Sequence, residues 1–503
     1  MSSLLLRGGI WLSFAVVVVA VYLGLQGPLQ QVFTSNPQGQ TFCYSKGVTT
    51  RFSTKSSAAC FTVEDDAKDR LTAYVLAHKG VGSRENWIRG VGWDQMVMGE
   101  MPTAAMLADF DGLYIMLDRV DVHCVWVSQA VLDLLPDDLP DVPGGEIIRE
   151  PGMGVFCDNA MEVVMKYWPR PDDARKTAFL KSAMASLHQV GLVGVHDAGV
   201  YTNELPLYKE IFSADDWTLR IYAMIECEER NTFCPEKVPA FTDGDGFLSV
   251  KSVKLFADGA LGSWGSAMIE PYSDRPDTAG SLLVSASTLT SLAKSWSLEG
   301  YQVNIHAIGD LANWLAIDAM EAALADVCPG ESLAQIIYPE DQERMHSIGI
   351  IPSIQPTHAT SDMSYAELRL GSKRLATEAY RMRSLLDLQP VLGSDFPVEP
   401  PNPFEGIYAA VTRRSPHTGK GADGSLNGWH PEETLTLREA LVGFTEGPAH
   451  GAFLEGEAGV IQPGAMADWV VLDEPLESLD VEDIRHLKVK ETWVAGQRVY
   501  LRE

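Results

Sequence analysis

Short apolar runs alternate with amphipathic helical stretches along most of this chain, and several of the runs end in polar residues. That pattern predicts an α/β fold built as a TIM (β/α)8-type barrel. The clearest strand candidates are Gly191–His196, Leu219–Ile225, Ser252–Phe256, Gln302–His306, Ile350–Gln355 and Val391–Asp395. Their length and β-branched content suit buried parallel strands. Helical spacing fills most of the intervals: Ala174–Val190, Ser287–Leu298, Leu311–Ala325, Pro339–Ser347 and Lys373–Leu388. No Gly-rich dinucleotide or P-loop fingerprint follows any strand, which argues against a doubly wound nucleotide-binding sheet. The glycines around Asp243–Gly246 lack the helix context of a phosphate site.

Taken in order, the elements begin with an apolar segment, Leu4–Leu25, broken only by Arg7, Ser13 and glycines. Its length suits a bilayer-spanning helix. Arg7 precedes it and no Lys or Arg follows until Lys46, which orients the N-terminus to the cytoplasm. Residues 1–26 are thus expected to anchor a single-pass membrane protein with a lumenal or extracellular domain. A cleaved signal peptide, and so a secreted chain, is the alternative. Gln26 to about Gln40 reads as a polar stalk, Thr41–Phe52 and Ala58–Val63 as strands, and Asp65–Gly80 as a helix. After Trp87 the alternation argues for parallel βα units. Gly459–Leu472 and Val489–Leu501 are short β segments punctuated by Gly, which close the chain as a small β module able to pair with residues 41–63.

The chain has 503 residues and a net charge of −29. Such a surface repels phosphate backbones, and no Lys/Arg cluster offsets it, so nucleic acid is not an expected partner. The plain reading of the acidity is solubility. Among the seven cysteines, Cys43 with Cys60 and Cys227 with Cys234 each flank a short segment. Both pairs could be disulfides in an oxidising compartment or buried free thiols. Oligomeric state is not legible.

In a barrel, catalytic groups gather at the C-terminal ends of the strands. Three such ends carry chemistry: Lys254 in VKLFADGALGS, His306 opening HAIGD, and Asp395 in GSDFPVE. A histidine ligand, a basic or modified lysine and a strand-end aspartate are what a hydrolytic divalent-metal centre uses. The metal lowers the pKa of bound water, and a carboxylate carries the proton to the leaving group. Each residue has a plainer alternative. His306 could be a hydrogen-bonded packing residue, Asp395 a turn former before Phe-Pro, and Lys254 a group that reaches solvent or pairs with Asp258. Their joint occurrence on successive barrel elements favours the chemical reading.

VKLFADGALGS, NIHAIGD, QPTHATSDM, GSDFPVEPPNPFEGIYAAVTR and the closing GVIQPGAMADWVVLD resemble the amidohydrolase 3 family, the YtcJ-like branch of the metal-dependent amidohydrolase superfamily. WIRGVGWDQ, DRVDVHCVWV and GVHDAG match the same family, so the resemblance covers about residues 41–503. It implies a barrel with an insertion over residues 64–455 and a β-sandwich made from residues 41–63 and 456–503. It also implies a hydrolase acting on carbon–nitrogen bonds other than peptide bonds, with a small amide-like substrate and a divalent metal, zinc first. Carried over, Lys254 and His306 would hold metal. Asp395 would be both metal ligand and proton shuttle, and His358 would line the substrate side. His123 and Asp197 fall in family-like motifs with hydrogen-bonding as their plainest role.

The chain departs from the family twice. The H-x-H pair that ends the family's first strand is missing together with that strand, so the barrel is expected to be incomplete: all 11 histidines are isolated, and the gap falls between Val63 and Glu64. The family's Glu-His-Ala-Gln run at the sixth strand is represented by Ala334 and Gln335 alone, so that His and its strand are expected to be absent; His346, on the next helix, is expected at the surface. A zinc-like centre takes about four N/O donors, more than Lys254, His306 and Asp395 supply. Two clean losses in a well-kept pattern resemble removed coding blocks, as in a splice form, more than drift. The expected function is therefore a C–N hydrolase whose activity in this form is open, with a non-catalytic amidohydrolase-like ligand-binding protein as the alternative.

Overall fold

The βα alternation read from sequence becomes a parallel sheet, but only from Gly194 onward. The computed structural model describes residues 63–78, 80–213, 217–238, 241–242, 246–325 and 331–503. They fall into two units, one of them Asp173–Glu503 and the other described over residues 63–172.

In the latter unit the helix Val63–Ala77 precedes a five-stranded sheet of β1 (Ile88–Trp93), β2 (Ile115–Arg119), β3 (Cys124–Val127), β4 (Gly145–Ile148) and β5 (Val155–Asp158), ordered β1-β2-β3-β5-β4. Only β1 and β2 pair in parallel. The expectation of parallel βα units beginning at Trp87 is corrected here, since β2, β3, β5 and β4 pair antiparallel. The physical reason lies in the connection between β2 and β3. Val122 takes a left-handed φ of 56° and its N–H reaches Arg119 O at 2.8 Å, a turn far too short for a parallel crossover. Cys124 and Cys157 face each other across β3 and β5 and form a disulfide. That pairing was not expected, because 33 residues separate them in sequence and only the sheet register brings them together.

The unit Asp173–Glu503 holds β6 (Gly194–Tyr201), β7 (Arg220–Glu226), β8 (Phe241–Thr242), β9 (Leu248–Phe256), β10 (Gln302–Ala307), β11 (Glu331–Ala334), β12 (Ile351–Ile354) and β13 (Val391–Leu392). Seven of them run as β6-β7-β9-β10-β11-β12-β13 with every pair parallel, and β8 joins β9 antiparallel. Among the described residues this is an open path rather than a closed ring. The helices Asp173–Gln189, Ala286–Leu298, Asp310–Leu324 and Pro339–Ile348 fall within a residue of their expected bounds. At one of them a local cap fixes the boundary. The Ser285 side chain accepts from Thr288 N and so sets the start of Ala286–Leu298.

Three further expectations need correction. The sixth-strand segment is not lost: Glu331–Ala334 forms β11, seated between β10 and β12. What is lost is the histidine, because Leu333 occupies the register position opposite His306. The single helix expected over Lys373–Leu388 is instead a helix ending at Glu378 and a 3-10 turn, Arg383–Leu388. Tyr380, at φ 54°, breaks it. Finally, the membrane anchor, with its lumenal or extracellular placement and its secreted alternative, is not upheld. No helix among the described residues is long and apolar enough to cross a membrane. A span takes about 20 apolar residues, whereas Asp173–Gln189 has 17 and carries Arg175, Lys176 and Lys181. The segment Leu4–Leu25 lies outside the described residues, as do the stalk, the strands expected before Val63, and Cys43 and Cys60. The Cys227–Cys234 disulfide is formed.

The chain closes in an antiparallel sheet of β14 (Trp469–Val471), β15 (Glu491–Val494) and β16 (Gln497–Leu501). Trp469 and Trp493 stack across it at 5.1 Å. The paired guanidinium and carboxylate of Arg220 and Asp468, 2.6 Å apart, tie it to the start of β7.

Candidate active site

The polar groups of the parallel sheet collect where its strands end. Lys254 and Phe256 on β9 alternate onto the same face, and the parallel register sets them beside Asn304 and His306 of β10. The Lys254 ammonium lies 5.2 Å from the centroid of the Phe256 ring, and that ring lies 5.7 Å from His306. Both residues are buried.

Just past β9, Asp258 is fully buried and ties two strand ends together. Its carboxylate accepts from Ala267 N at 2.8 Å, Ile308 N at 3.0 Å and Gly309 N at 2.8 Å, while His306 Nε2 stands 3.8 Å away. This close seating requires glycine at 309, where a Cβ would fall 1.9 Å from Ala267 O. Sequence reasoning had offered Asp258 only as a partner for Lys254; its backbone role depends on loops far apart in the chain.

The second pair sits on β12 and β13. His358 belongs to the helix Pro356–Asp362 that follows β12, and Asp395 follows β13 after Gly393 and Ser394. Their closest atoms, His358 Nε2 and Asp395 Oδ2, are 3.9 Å apart. Asp395 takes φ 54°, a left-handed conformation that non-glycine residues adopt rarely and often at functional positions. The four residues singled out from sequence thus form two pairs, Lys254 with His306 and His358 with Asp395, on the strand ends flanking β11.

Behind the second pair lies a set of acids that sequence reasoning missed. Glu399 is buried, and that burial pushes its carboxyl up to about 8, reinforced by the charges of Asp362, Glu405 and Asp395 and opposed by a hydrogen bond with Ser361. It holds its proton at neutral pH. Asp362 accepts from Tyr365 Oη at 2.5 Å, Tyr380 Oη at 2.7 Å and Gln335 Nε2 at 3.0 Å. The motif GSDFPVE had carried Glu399, and QPTHATSD had carried Asp362; only the packing shows that they converge.

The remaining candidates are structural. His123 bonds to Asp158 at 2.8 Å inside the five-stranded sheet, and Asp197 accepts from Tyr208 Oη at 3.2 Å. His196 pairs with Pro448 O at 2.9 Å, and burial lowers it to about 4, so it is neutral. His346 is at the surface, as expected, 3.8 Å from Asp387.

These residues do not fit a four-coordinate metal centre. Among the described residues no three His, Cys, Asp or Glu side chains are grouped to hold a metal ion. Lys254, His306 and Asp395 offer one amine, one imidazole and one carboxylate, short of the about four donors that zinc takes. What the arrangement supplies is a carboxylate beside an imidazole, both at strand ends, next to one buried acid, Glu399, that keeps a proton close.

A parallel sheet with polar groups gathered at the C-terminal strand ends is an α/β scaffold of the kind that places a site at one end of its strands. Comparison with known proteins narrows this. Residues 53–500 match the model of the Amidohydrolase family, Amidohydro_3, and the chain belongs to that family. It is 28% identical to YtcJ of Bacillus subtilis (strain 168) over 435 residues, covering 83% of this chain and 80% of that protein. It is 27% identical to the N-substituted formamide deformylase of Arthrobacter pascens over 446 residues, covering 83% and 79% respectively. Among solved structures, an uncharacterized metal-dependent hydrolase from Pyrococcus horikoshii superposes with a TM-score of 0.66 at 24% identity, covering 82% of this chain and 81% of that one, which establishes the shared fold.

Proposed function

We propose that this protein is a hydrolase that cleaves the carbon–nitrogen bond of small, non-peptide amides. The observation that carries the reading is the pairing of Asp395 with His358 at adjacent strand ends of an amidohydrolase-family sheet. Asp395 takes a proton from the attacking water as its oxygen bonds to the carbonyl carbon. It returns that proton to the nitrogen as the C–N bond breaks, leaving a carboxylic acid and an amine. His358 orients the carbonyl oxygen. Family membership implies a divalent metal, for which zinc is the expectation, with Lys254, His306 and Asp395 as the residues to hold it. Because their donor set falls short, no step is drawn through a metal. Barrel closure and a β-sandwich uniting residues 41–63 with 456–503 belong to the same proposal, with β14–β16 as the sandwich's C-terminal part.

A second reading, a protein that binds such amides without cleaving them, is favoured by Leu333 in the place opposite His306. One experiment separates the two. The full chain is incubated with a panel of N-substituted formamides and acetamides, the released amine is measured, and bound metal is quantified by mass spectrometry. Amine release that disappears in Asp395→Asn supports the hydrolase. Saturable binding with no release supports the second reading, and neither response sinks both.

A further inference from the structure

Gln335 follows β11 directly, between the strand carrying His306 and the helix carrying His358. Its backbone is held by Tyr380, whose N–H donates to Gln335 O at 3.0 Å. Its side-chain amide is held more tightly. Nε2 donates to Asp362 Oδ2 at 3.0 Å and to Tyr380 Oη at 3.0 Å. Tyr380 in turn gives its own proton to Asp362 Oδ2 at 2.7 Å.

This arrangement has only one polarity. A carboxylate accepts hydrogen bonds and cannot donate them, so the NH2 end of Gln335 must face Asp362. Tyr380 has one hydroxyl proton, already directed at Asp362, and can only accept from Gln335. Burial first, and then the charge of Asp362 and the bond to it, raise the Tyr380 phenol well above its ordinary value, which keeps that proton in place. The Gln335 amide nitrogen is therefore committed to Asp362 and Tyr380, and Oε1 is turned the other way. No donor reaches Oε1 among the described residues, and it is not among the buried atoms lacking partners. It is an oriented acceptor open to a small molecule.

Two features put Asp362, the anchor of this amide, beside the candidate site. Asp362 lies four residues after His358 on one helix, so both side chains share a face. Asp362 and Asp395 also act on the same buried carboxyl, Glu399.

We infer that Gln335 is a specificity-determining residue whose Oε1 accepts the N–H of the bound amide, so that the site selects amides carrying an N–H over N,N-disubstituted ones. The inference rests on the C–N hydrolase reading and adds the substrate class to it. A tertiary amide leaves this acceptor without a donor and sets an alkyl group against it, whereas a secondary amide completes the chain Asp362, Gln335, substrate. Tyr365, which donates to Asp362 from the far side, steadies the anchor without touching the ligand.

The test is calorimetric titration of the full chain with N-butylacetamide and with N-butyl-N-methylacetamide. The expected result is tighter binding of the secondary amide by on the order of tenfold, as one hydrogen bond to an otherwise unsatisfied acceptor predicts. Gln335→Met should abolish the preference by weakening the secondary amide alone. Asp362→Asn, which lets the Gln335 amide rotate, should shrink the preference and leave the tertiary amide unchanged; it serves if the first variant does not fold. Equal binding of the two probes by the wild type, or equal weakening of both in Gln335→Met, overturns the inference while leaving the hydrolase reading intact. Binding of neither probe overturns the amide reading and this inference with it.

Discussion

The charges of the five-stranded sheet and the His–Asp pairs at the strand ends of the parallel sheet are held at different spacings. In the five-stranded sheet of residues 63–172, charges are closed on one another. Arg89 and Asp118, both buried, pair at 3.0 Å, and the Arg89 guanidinium also covers the Trp168 ring at 4.6 Å. Burial lowers Arg89 from its ordinary value, and Asp118 opposes the shift. Arg119 reaches Gln95 at 2.7 Å, Asp94 at 3.0 Å and Asp121 as well. At the strand ends of the parallel sheet the spacings are longer. His306 stands 3.8 Å from Asp258, and His358 stands 3.9 Å from Asp395. A closed ion pair fixes one geometry; in these two pairs the partners stand just beyond hydrogen-bond reach of each other. The first kind of charge specifies the fold, and the second is where the proposed hydrolysis is placed.

The largest expected effect tests the open pair. Asp395→Asn should lower hydrolysis of any responding amide by about 10²–10⁴-fold while leaving the urea denaturation midpoint close to that of the wild type. A large loss of stability instead would place Asp395 with the structural charges. The closed pair should behave the other way. Asp118→Ala leaves Arg89 buried without its partner and should cost about 3–5 kcal/mol in denaturant titration. Replacing both, as Arg89→Met with Asp118→Leu, should recover much of it, and failure to recover would show that the pair contributes more than its own mutual satisfaction.

Two buried groups of the larger unit sharpen the contrast through pH. Glu399 is raised to about 8 in the folded chain, so between its ordinary range near 4.5 and about 8 only the folded state keeps the proton. Stability contributed by this group is therefore lost as pH rises through that window. Glu399→Gln should be the more stable form at pH 8 by a few kcal/mol, with little difference at pH 4.5. His196 works in the other direction. Lowered to about 4 from 6.5, it stays neutral while the unfolded chain takes up a proton, so stability is lost as pH falls through that interval. His196→Asn should flatten the acid limb of a thermal-melt series by on the order of 2–3 kcal/mol. The smallest effect lies away from both sites. Thr436 and Glu439 form a reciprocal cap at the start of Leu437–Phe444, and Thr436→Ala should cost about 1 kcal/mol without changing ligand binding.

Much of the larger unit was legible in sequence because parallel strands buried on both faces read as apolar runs, and the helices between them are long enough to show their own period. Lys254, His306, His358 and Asp395 could be found because each sits in a local motif. The smaller sheet was misread as βα units, since antiparallel pairing there depends on a tight turn at Val122 rather than on composition. β11 was missed because a strand of four residues, Glu331–Ala334, carries too little pattern to declare itself, and pairing with strands on both sides supplies the stability it lacks alone.

The amino-acid sequence by itself determined the family, most of the parallel strands and the loss of the paired first-strand histidines, because each is written in contiguous residues. Tertiary structure decided what no local window contains. It turned the Gln335 amide by setting Asp362 and Tyr380 against one end of it, raised Glu399 by gathering Asp362, Glu405 and Asp395 around a buried carboxyl, and joined Cys124 to Cys157. Those properties come from distances between residues far apart in the chain, and electrostatics and hydrogen bonding act on distance in space rather than along the sequence.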